Sequence, residues 1–253
     1  MFRPRVIPVL LLKNKGLVKT IKFKNPVYIG DPINAVRIFN DLEVDELTFL
    51  DITATHENRT LSVDLVKEIG DEAYMPFAVG GGINSVDQAV ALINAGAEKV
   101  VMNTIFWEKP EVVSQIAKTL GNQSVVVSLD INKTWLGKYR LFVKSGTEST
   151  TLDPVSAAKK AEDSGAGEIV LNYIPYDSEM NGYNLDIIEQ VSECVHIPVI
   201  AGCGAGNINH FRQAVDAGAH AVAAGSMFVY HGSRRAVLIN YPTKEELIST
   251  FKK

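Results

Sequence analysis

The second half of the chain repeats landmarks of the first half at one constant spacing. Two apolar runs that end in glycines begin at Pro76 and Pro198, which lie 122 positions apart. The same spacing relates Gly82 to Gly204, Ala95 to Ala217, and Glu46 to Glu168. Because four landmarks share one offset, the sequence indicates an internal duplication, and this constrains the fold more than any other feature.

Apolar, β-branched runs alternate with helical patterns along the whole chain. Their nearly continuous apolarity is typical of parallel strands that are buried on both faces. Helix starts such as Asp31-Pro32 and Asp153-Pro154, an N-cap followed by proline, lie between them. The predicted strands are Val6–Leu12, Glu46–Ile52, Pro76–Val79, Lys99–Met102, Ser124–Asp130, Glu168–Leu171, Pro198–Ala201 and Ala221–Ala224.

Eight strand–helix units in 253 residues predict an α/β fold, a (β/α)8 TIM barrel. We expect residues 1–253 to form one barrel domain, built from half-barrels of about 1–122 and 123–253. The alternative is a doubly wound open sheet, which the duplication disfavours.

The net charge and the cysteine and histidine content limit the partners, the compartment and the bound groups that we expect for this chain. With a net charge of −4, the chain has no general attraction for nucleic acid or for an anionic membrane. Val6–Leu12 is too short for a membrane helix or a signal. Because Cys194 and Cys203 suggest no disulfide framework, we expect a cytoplasmic protein, with Cys203 as a small filler rather than a nucleophile. The five histidines have no metal-ligand spacing, so neither a metal nor a cofactor is expected.

Each half of the predicted barrel has a glycine-rich turn at the end of one strand and a hydroxyl residue at the end of the next. Glycine lets the backbone approach an anion closely, and free N–H groups beside a hydroxyl favour phosphate. We therefore expect a small molecule with a phosphate at each end to span the mouth, although the glycines could instead make plain tight turns. The expected phosphate-binding residues are Gly81, Gly82, Asn103 and Thr104 in the first half, and Gly204, Gly225 and Ser226 in the second.

Three aspartates, Asp51, Asp130 and Asp177, end or closely follow predicted strands. A carboxylate at this end of a barrel strand is more often catalytic than structural. Asp130 is the strongest candidate, because burial after an apolar strand would raise its pKa toward that of a general acid. Asp51 is placed among the substrate-binding residues, and its alternative is an orienting hydrogen-bond role beside Thr53 and Thr55. Asp177 is a second catalytic candidate, with loop capping as its alternative.

Two connections at the mouth are long, residues 14–30 and 131–152. The second contains the alternating run Lys138–Lys144, which predicts a small hairpin. Long connections at this face of a barrel are usually functional, so both are expected to cover the site. Lys19 on the first is a candidate for contact with the substrate and is placed with the catalytic residues, and a solvated lysine is the ordinary alternative.

Four charged residues, Arg5, Glu46, Lys99 and Glu168, stand at the beginning of predicted strands, at the bottom of the barrel. Two cations and two anions can neutralise one another there, and an unpaired buried charge would be costly. The sequence predicts either a polar plug that seals the bottom or a gate over a central passage.

The chain resembles the cyclase subunit of imidazole glycerol phosphate synthase along essentially its whole length. The segments that carry the resemblance are Leu50–Ala54, Val79–Ile83, Gly96–Val100, Asn103-Thr104, Gly165–Glu168, Ile197–Ala201 and Gly204–Gly206. The resemblance implies a ribulose-phosphate-binding barrel and a lyase that works in a glutamine amidotransferase complex. It also implies that a glutaminase subunit docks at the barrel bottom and that ammonia passes a gate formed by the four charged residues to a bisphosphate on top.

One departure bears directly on the chemistry. The family uses two aspartates as its acid–base pair, and the chain keeps Asp130 but has Leu11 at the other position. Leucine moves no proton, and the loss of one acid–base partner typically costs about 10²–10⁴-fold in rate. The second phosphate loop is also altered, because Gly202-Cys203 replaces the usual Ser-Gly.

Three further segments, Val9–Leu12, Tyr28–Asn34 and Val237–Tyr241, are similar to a paralogous branch, the glycosyl amidation-associated proteins. The similarity implies that the barrel supplies ammonia to a separate sugar amidotransferase in surface-polysaccharide (O-antigen) biosynthesis. That use needs the gate but not the acid–base pair. The alternatives are an authentic cyclase in histidine biosynthesis and a non-catalytic barrel that binds a phosphorylated ligand.

Overall fold

The computed structural model describes residues 3–232 and 234–252, and it shows a closed barrel of eight parallel strands. Every barrel strand pairs with two neighbours, and the last one, Ala221–Ala224, closes the ring by pairing with the first, Arg5–Lys13. The prediction of a (β/α)8 barrel is confirmed, and each predicted strand is present within a few residues of its expected ends.

The barrel strands are β1 (Arg5–Lys13), β4 (Leu47–Asp51), β5 (Phe77–Gly80), β6 (Lys99–Met102), β7 (Val125–Lys133), β10 (Glu168–Tyr173), β11 (Val199–Gly202) and β12 (Ala221–Ala224). Short strands outside the barrel are β2 (Gly16–Ile21), β3 (Lys24–Gly30), β8 (Tyr139–Val143), β9 (Glu148–Ser149), β13 (Tyr230–His231) and β14 (Ala236–Val237). The α-helices are α1 (Pro32–Asp41), α2 (Val63–Glu72), α3 (Val86–Asn94), α4 (Thr104–Glu108), α5 (Pro110–Leu120), α6 (Pro154–Asp163), α7 (Leu185–Ser192), α8 (Ile208–Asp216), α9 (Ser226–Val229) and α10 (Lys244–Phe251).

The spacing of 122 positions reappears in the bounds of the elements. It relates both ends of α1 to those of α6, of β5 to β11, of α3 to α8, and of β6 to β12. These elements bury their apolar residues between the barrel and the surrounding helices, as the continuous core through both halves shows. We propose that the two halves arose by duplication, and the matching bounds support it.

Both long connections at the mouth contain regular structure. β2 and β3 form an antiparallel hairpin that continues from β1, and β8 pairs with the part of β7 that extends beyond the barrel. The predicted hairpin over Lys138–Lys144 is thus confirmed. The first hairpin was not expected, because its tight turn uses Lys22 and Phe23 in the left-handed conformation, at φ of 53° and 62°, where the sequence has no glycine.

No helix among residues 3–232 and 234–252 is long and apolar enough to cross a membrane.

The matched N-caps of α1 and α6 provide a test of the repeat. Asp31 accepts a hydrogen bond from the backbone N–H of Asn34 at 2.9 Å, and Asp153 accepts one from Ser156 at 3.0 Å. We expect Asp31→Ala and Asp153→Ala each to lower the free energy of unfolding by about 1 kcal/mol, because each leaves an end of a helix uncapped. Denaturant unfolding measures both.

Glu68→Ala, on the exposed face of α2, is the control and should change stability by less than about 0.5 kcal/mol. Equal small effects of all three substitutions would show that the caps do not contribute.

Candidate functional site

The mouth of the barrel holds two cavities of unequal size. The larger, of about 410 Å³, is lined by Gly81 and Gly82 after β5 and by Asn103 and Thr104 after β6. The smaller, of about 60 Å³, is lined by the glycine turn after β11 and by Gly225-Ser226 after β12. The structure therefore brings the residues of each expected phosphate site together at one end of the barrel.

The first glycine turn is packed so tightly that only glycine fits. A Cβ atom on Gly82 would lie 1.8 Å from the carbonyl oxygen of Arg59, and the residue has φ of 68°. Asn103 donates from Nδ2 to the carbonyl oxygens of Ser128 and Phe142, at 3.0 and 3.2 Å. The hydroxyl of Thr104 accepts from the backbone N–H of Lys144 at 3.0 Å, so it already helps to hold the second hairpin.

Asp51 organises one wall of the large cavity. Its Oδ1 accepts hydrogen bonds from the backbone and the hydroxyl of Thr53, both at 3.0 Å, and from the N–H of Ala54 at 3.1 Å. Its Oδ2 accepts from the Arg59 guanidinium at 2.6 Å. Asp51 thus orients the side chains of Thr53 and Arg59, whereas Thr55 is not among its hydrogen-bond partners. Its role in substrate binding remains a prediction. The sequence interpretation missed Arg59, which places a cation beside the cavity.

Asp130 lies buried at the floor of the large cavity, near the end of the parallel part of β7. Its Oδ1 accepts from the Ser128 hydroxyl at 3.0 Å and from Asn172 Nδ2 at 2.9 Å. Burial raises the pKa of Asp130 above its ordinary value, while the hydrogen bonds from Asn172 and Ser128 partly oppose this. A carboxyl group with a raised pKa can hold a proton to donate, which is what a general acid requires.

Lys19 and Asp177 form a buried ion pair at the small cavity, with Nζ and Oδ1 2.9 Å apart. The other oxygen of Asp177 accepts from the Thr20 hydroxyl at 2.8 Å and from the N–H of Phe23 at 3.1 Å. Asp177 therefore fastens the first hairpin to the barrel, and Lys19 is buried rather than solvated. Catalytic roles for these two residues remain predictions.

The hydroxyl of Ser226 is engaged within the protein. Its Oγ lies 2.6 Å from that of Ser178, and Ser178 donates its own proton to the carbonyl oxygen of Thr20. Ser226 is therefore the donor to Ser178. Nearby, Cys203 lies beside Asn172 Oδ1, and burial, together with Asp177, raises the pKa of its thiol well above the ordinary value. A neutral thiol is a poor nucleophile, in agreement with the filler role expected for Cys203.

The two cavities are separated by apolar side chains. Leu11, Leu50 and Phe23 line both of them together with one polar residue, Asn172, and Leu11 pairs directly with Leu50 between β1 and β4. Leu11 thus shares the large cavity with Asp130, at the place where the resemblance implies the second aspartate. At that position the side chain can pack but cannot exchange a proton.

The four charged residues at the bottom form one closed network. Lys99 lies 3.0 Å from both Glu46 and Glu168, and Arg5 lies 2.5 Å from Glu168 and also pairs with Glu46. Arg5 is the most exposed of the four and Glu46 is the most buried. Each carboxylate thus has two cationic partners, and the ring spans the axis of the barrel at the end opposite the cavities.

Three residues that shape the mouth were missed from sequence. Arg59, Asn172 and Ser178 make their contacts through folded loops and neighbouring strands, so spacing along the chain gives no sign of them. The repeat gives one indirect signal. Ser178 lies 122 positions after His56, so it falls in the loop of the second half that corresponds to the loop carrying Arg59 in the first half.

The raised pKa of Asp130 predicts how a substitution changes stability. Because the unfolded chain ionises this group at lower pH than the folded one, its contribution to stability falls as pH rises above the ordinary carboxyl range. We expect Asp130→Asn to keep both hydrogen bonds at Oδ1 and to raise the free energy of unfolding at pH 7 by about 0.5–2 kcal/mol.

The gain should shrink as pH falls through about 4 and below, because the unfolded chain then also protonates this carboxyl group. Denaturant unfolding at several pH values gives the result, and the exposed Asp71→Asn serves as control. A variant that is less stable than wild type at pH 7 would contradict the inference.

Comparison with known proteins gives one consistent result. The family described as "Histidine biosynthesis protein" matches residues 5–234. A protein of Leptospira interrogans, provisionally named imidazole glycerol phosphate synthase subunit HisF, is 44% identical over 99% of this chain and 100% of its own length. The imidazole glycerol phosphate synthase subunit HisF of Oceanobacillus iheyensis is 37% identical over 98% of this chain and 97% of its own. The chain therefore belongs to the histidine biosynthesis protein family, as a HisF-type (β/α)8 barrel.

Proposed function

We propose that this chain is a cyclase-like synthase subunit that receives ammonia from a glutaminase partner and passes it through the barrel for sugar amidation in surface-polysaccharide (O-antigen) biosynthesis. The observation that carries the proposal is a complete charge ring at the bottom together with Leu11 in the lining of the cavity that also contains Asp130 at the mouth. The ring serves entry of ammonia, whereas the acid–base pair serves cyclisation. A chain selected only for ammonia transfer would retain the charge ring, whereas it could lose a member of the acid–base pair.

The interior between the ring and the mouth suits a small neutral molecule. Side chains that point into the barrel are mostly apolar and include the small residues Ala78, Ala221 and Ala223. Such a lining favours ammonia over the charged ammonium ion, because an unpaired charge in an apolar interior is costly. Leu11 and Leu50 extend the apolar surface to the mouth, where a soluble acceptor or a second enzyme would take up the ammonia.

The names of the relatives agree with the proposal that this chain is a paralogue of the histidine enzyme. Relatives that are 44–45% identical carry provisional names, and two of these, from Pseudomonas aeruginosa and Vibrio vulnificus, are numbered hisF2 and hisF3. The relatives compared under the unqualified HisF name are 37–41% identical. This difference is in the direction expected for a branch separate from the histidine enzyme.

The second candidate is an authentic cyclase in histidine biosynthesis, which the family match and the buried Asp130 favour. It would have to work with one acid–base residue in place of two. The two candidates share the partner and the passage, and they differ in the acceptor of ammonia.

Complementation separates them. We expect the wild-type chain, produced with its glutaminase partner, to leave a histidine auxotroph that lacks the cyclase subunit unable to grow. Leu11→Asp should restore some growth, since replacement of a missing acid–base partner is worth about 10²–10⁴-fold in rate. Leu11→Asn is the matched control, because it is polar and similar in size but transfers no proton. Growth with the wild-type chain would favour the histidine enzyme.

The charge ring predicts a second result. In a strain whose polysaccharide amidation depends on this chain, Lys99→Met should lower the amide content of the sugar by about tenfold, or about 1.4 kcal/mol of barrier, because both carboxylates lose a partner. Excess ammonium salt should partly bypass the defect. Mass spectrometry of the purified polysaccharide measures amide against carboxylate.

Lys118→Met, on the exposed face of α5, is the control and should leave amidation unchanged. If Lys99→Met behaves like Lys118→Met while it remains folded, the ring is a plug and not a gate.

A further inference from the structure

We infer that the mouth of this barrel takes a ligand with a single phosphate, which binds in the large cavity, and that the protein's own side chains fill the second glycine site. The inference rests on the proposed phosphate-binding role of the turn at Gly81 and Gly82, and it narrows the substrate class. It replaces the expectation from sequence that a bisphosphate spans both sites.

The repeat allows the two glycine turns to be compared position by position. Gly81 of the first turn corresponds to Cys203 of the second, 122 positions later. Both residues are in the left-handed region, at φ of 126° and 63°. Glycine adopts that region freely, whereas cysteine is strained in it, so the second turn keeps a side chain at a conformational cost. This side chain lines the small cavity and reduces the space beside Gly204.

Ser178 occupies the same cavity and shows the same strain. Its φ is 64°, and its hydroxyl lies between the hydroxyl of Ser226 and the carbonyl oxygen of Thr20. The Ser226 proton, which a phosphate would need, is therefore already donated to Ser178. A phosphate could take that proton only if Ser178 moved away and gave up a short hydrogen bond.

The charge balance of the small cavity also disfavours a phosphate. Lys19 is its cation, and this cation is neutralised by Asp177 at 2.9 Å. Because both members of this ion pair line the small cavity and cancel each other, the lining offers no net positive charge to attract a dianion. The large cavity also has carboxylates in its lining, but one of them, Asp51, directs both oxygens at Thr53, Ala54 and Arg59 in the wall, and the Arg59 guanidinium adds a cation to that lining.

The ridge between the cavities separates the two sites chemically. A bisphosphate that spans the mouth would lay its polar middle across Leu11, Leu50 and Phe23. Hydroxyl groups placed on these apolar side chains would lose water, and Asn172, the polar side chain that both linings share, already donates to Asp130. The large cavity alone, at about 410 Å³, is within the range that holds a complete small ligand. We therefore assign it a monophosphate ester of sugar-like size.

Calorimetric titration of the purified full chain with ribose 5-phosphate and ribulose 1,5-bisphosphate tests the inference. We expect one molecule of either probe to bind, with affinities within about threefold of each other, because the second phosphate finds no site. Thr104→Ala should weaken both by about tenfold, since it loosens the hairpin that closes the large cavity. Ser226→Ala, at the matching position of the second half, should weaken neither.

The converse variant opens the second site. Ser178→Gly combined with Cys203→Gly removes both side chains and both strained conformations, and should make the bisphosphate bind about tenfold more tightly than the monophosphate. Wild-type preference for the bisphosphate by tenfold or more, or an equal loss in Ser226→Ala and Thr104→Ala, would overturn the inference. Failure of both probes to bind wild type would instead overturn the proposed phosphate site at Gly81 and Gly82, and the inference with it.

Discussion

Closure of the parallel sheet is the constraint on which the rest of the structure depends. Because all eight pairings around the ring are parallel and β12 pairs with β1, the strands end at one rim of a closed barrel and begin at the other. Residues that are far apart in sequence, such as Asp51, Asp130 and Cys203, therefore meet at the mouth, while Glu46 and Glu168 meet beneath it. A parallel ladder that closes on itself also fixes the register, so one shifted strand would take its charged residue out of the ring.

Duplication explains how the sequence could predict so much of this arrangement. A pattern that occurs twice at one spacing gives two indications of the same local structure. Asp31 and Asp153 are an example, since both cap helices as expected. The apolar strands and the carboxylate at Asp130 follow from local composition alone. Local signals were sufficient wherever the partner of a residue lies in its own strand or turn.

Local signals failed where the folding of a loop or the pairing of neighbouring strands brings the partner close. Arg59 binds Asp51 across a turn, Asn172 reaches Asp130 from a neighbouring strand, and Ser178 meets Ser226 between two loops. The spacing of these residues along the sequence does not indicate that they lie close together in the fold. The first hairpin was missed for a related reason, since its turn at Lys22-Phe23 uses residues that rarely adopt the left-handed conformation, and contacts with Asp177 hold it there.

Those contacts determine how the first hairpin opens away from the barrel. One buried residue, Asp177, binds Lys19, Thr20 and Phe23 through its carboxylate and Lys22 through its carbonyl oxygen, so four residues of the hairpin are attached through it, in addition to the pairing of β2 with β1. Segments held in this way open as cooperative units, because partial detachment leaves a buried charge without partners. The amide protons of this segment would accordingly exchange with solvent together, and the ion pair at its base would set the frequency of that opening.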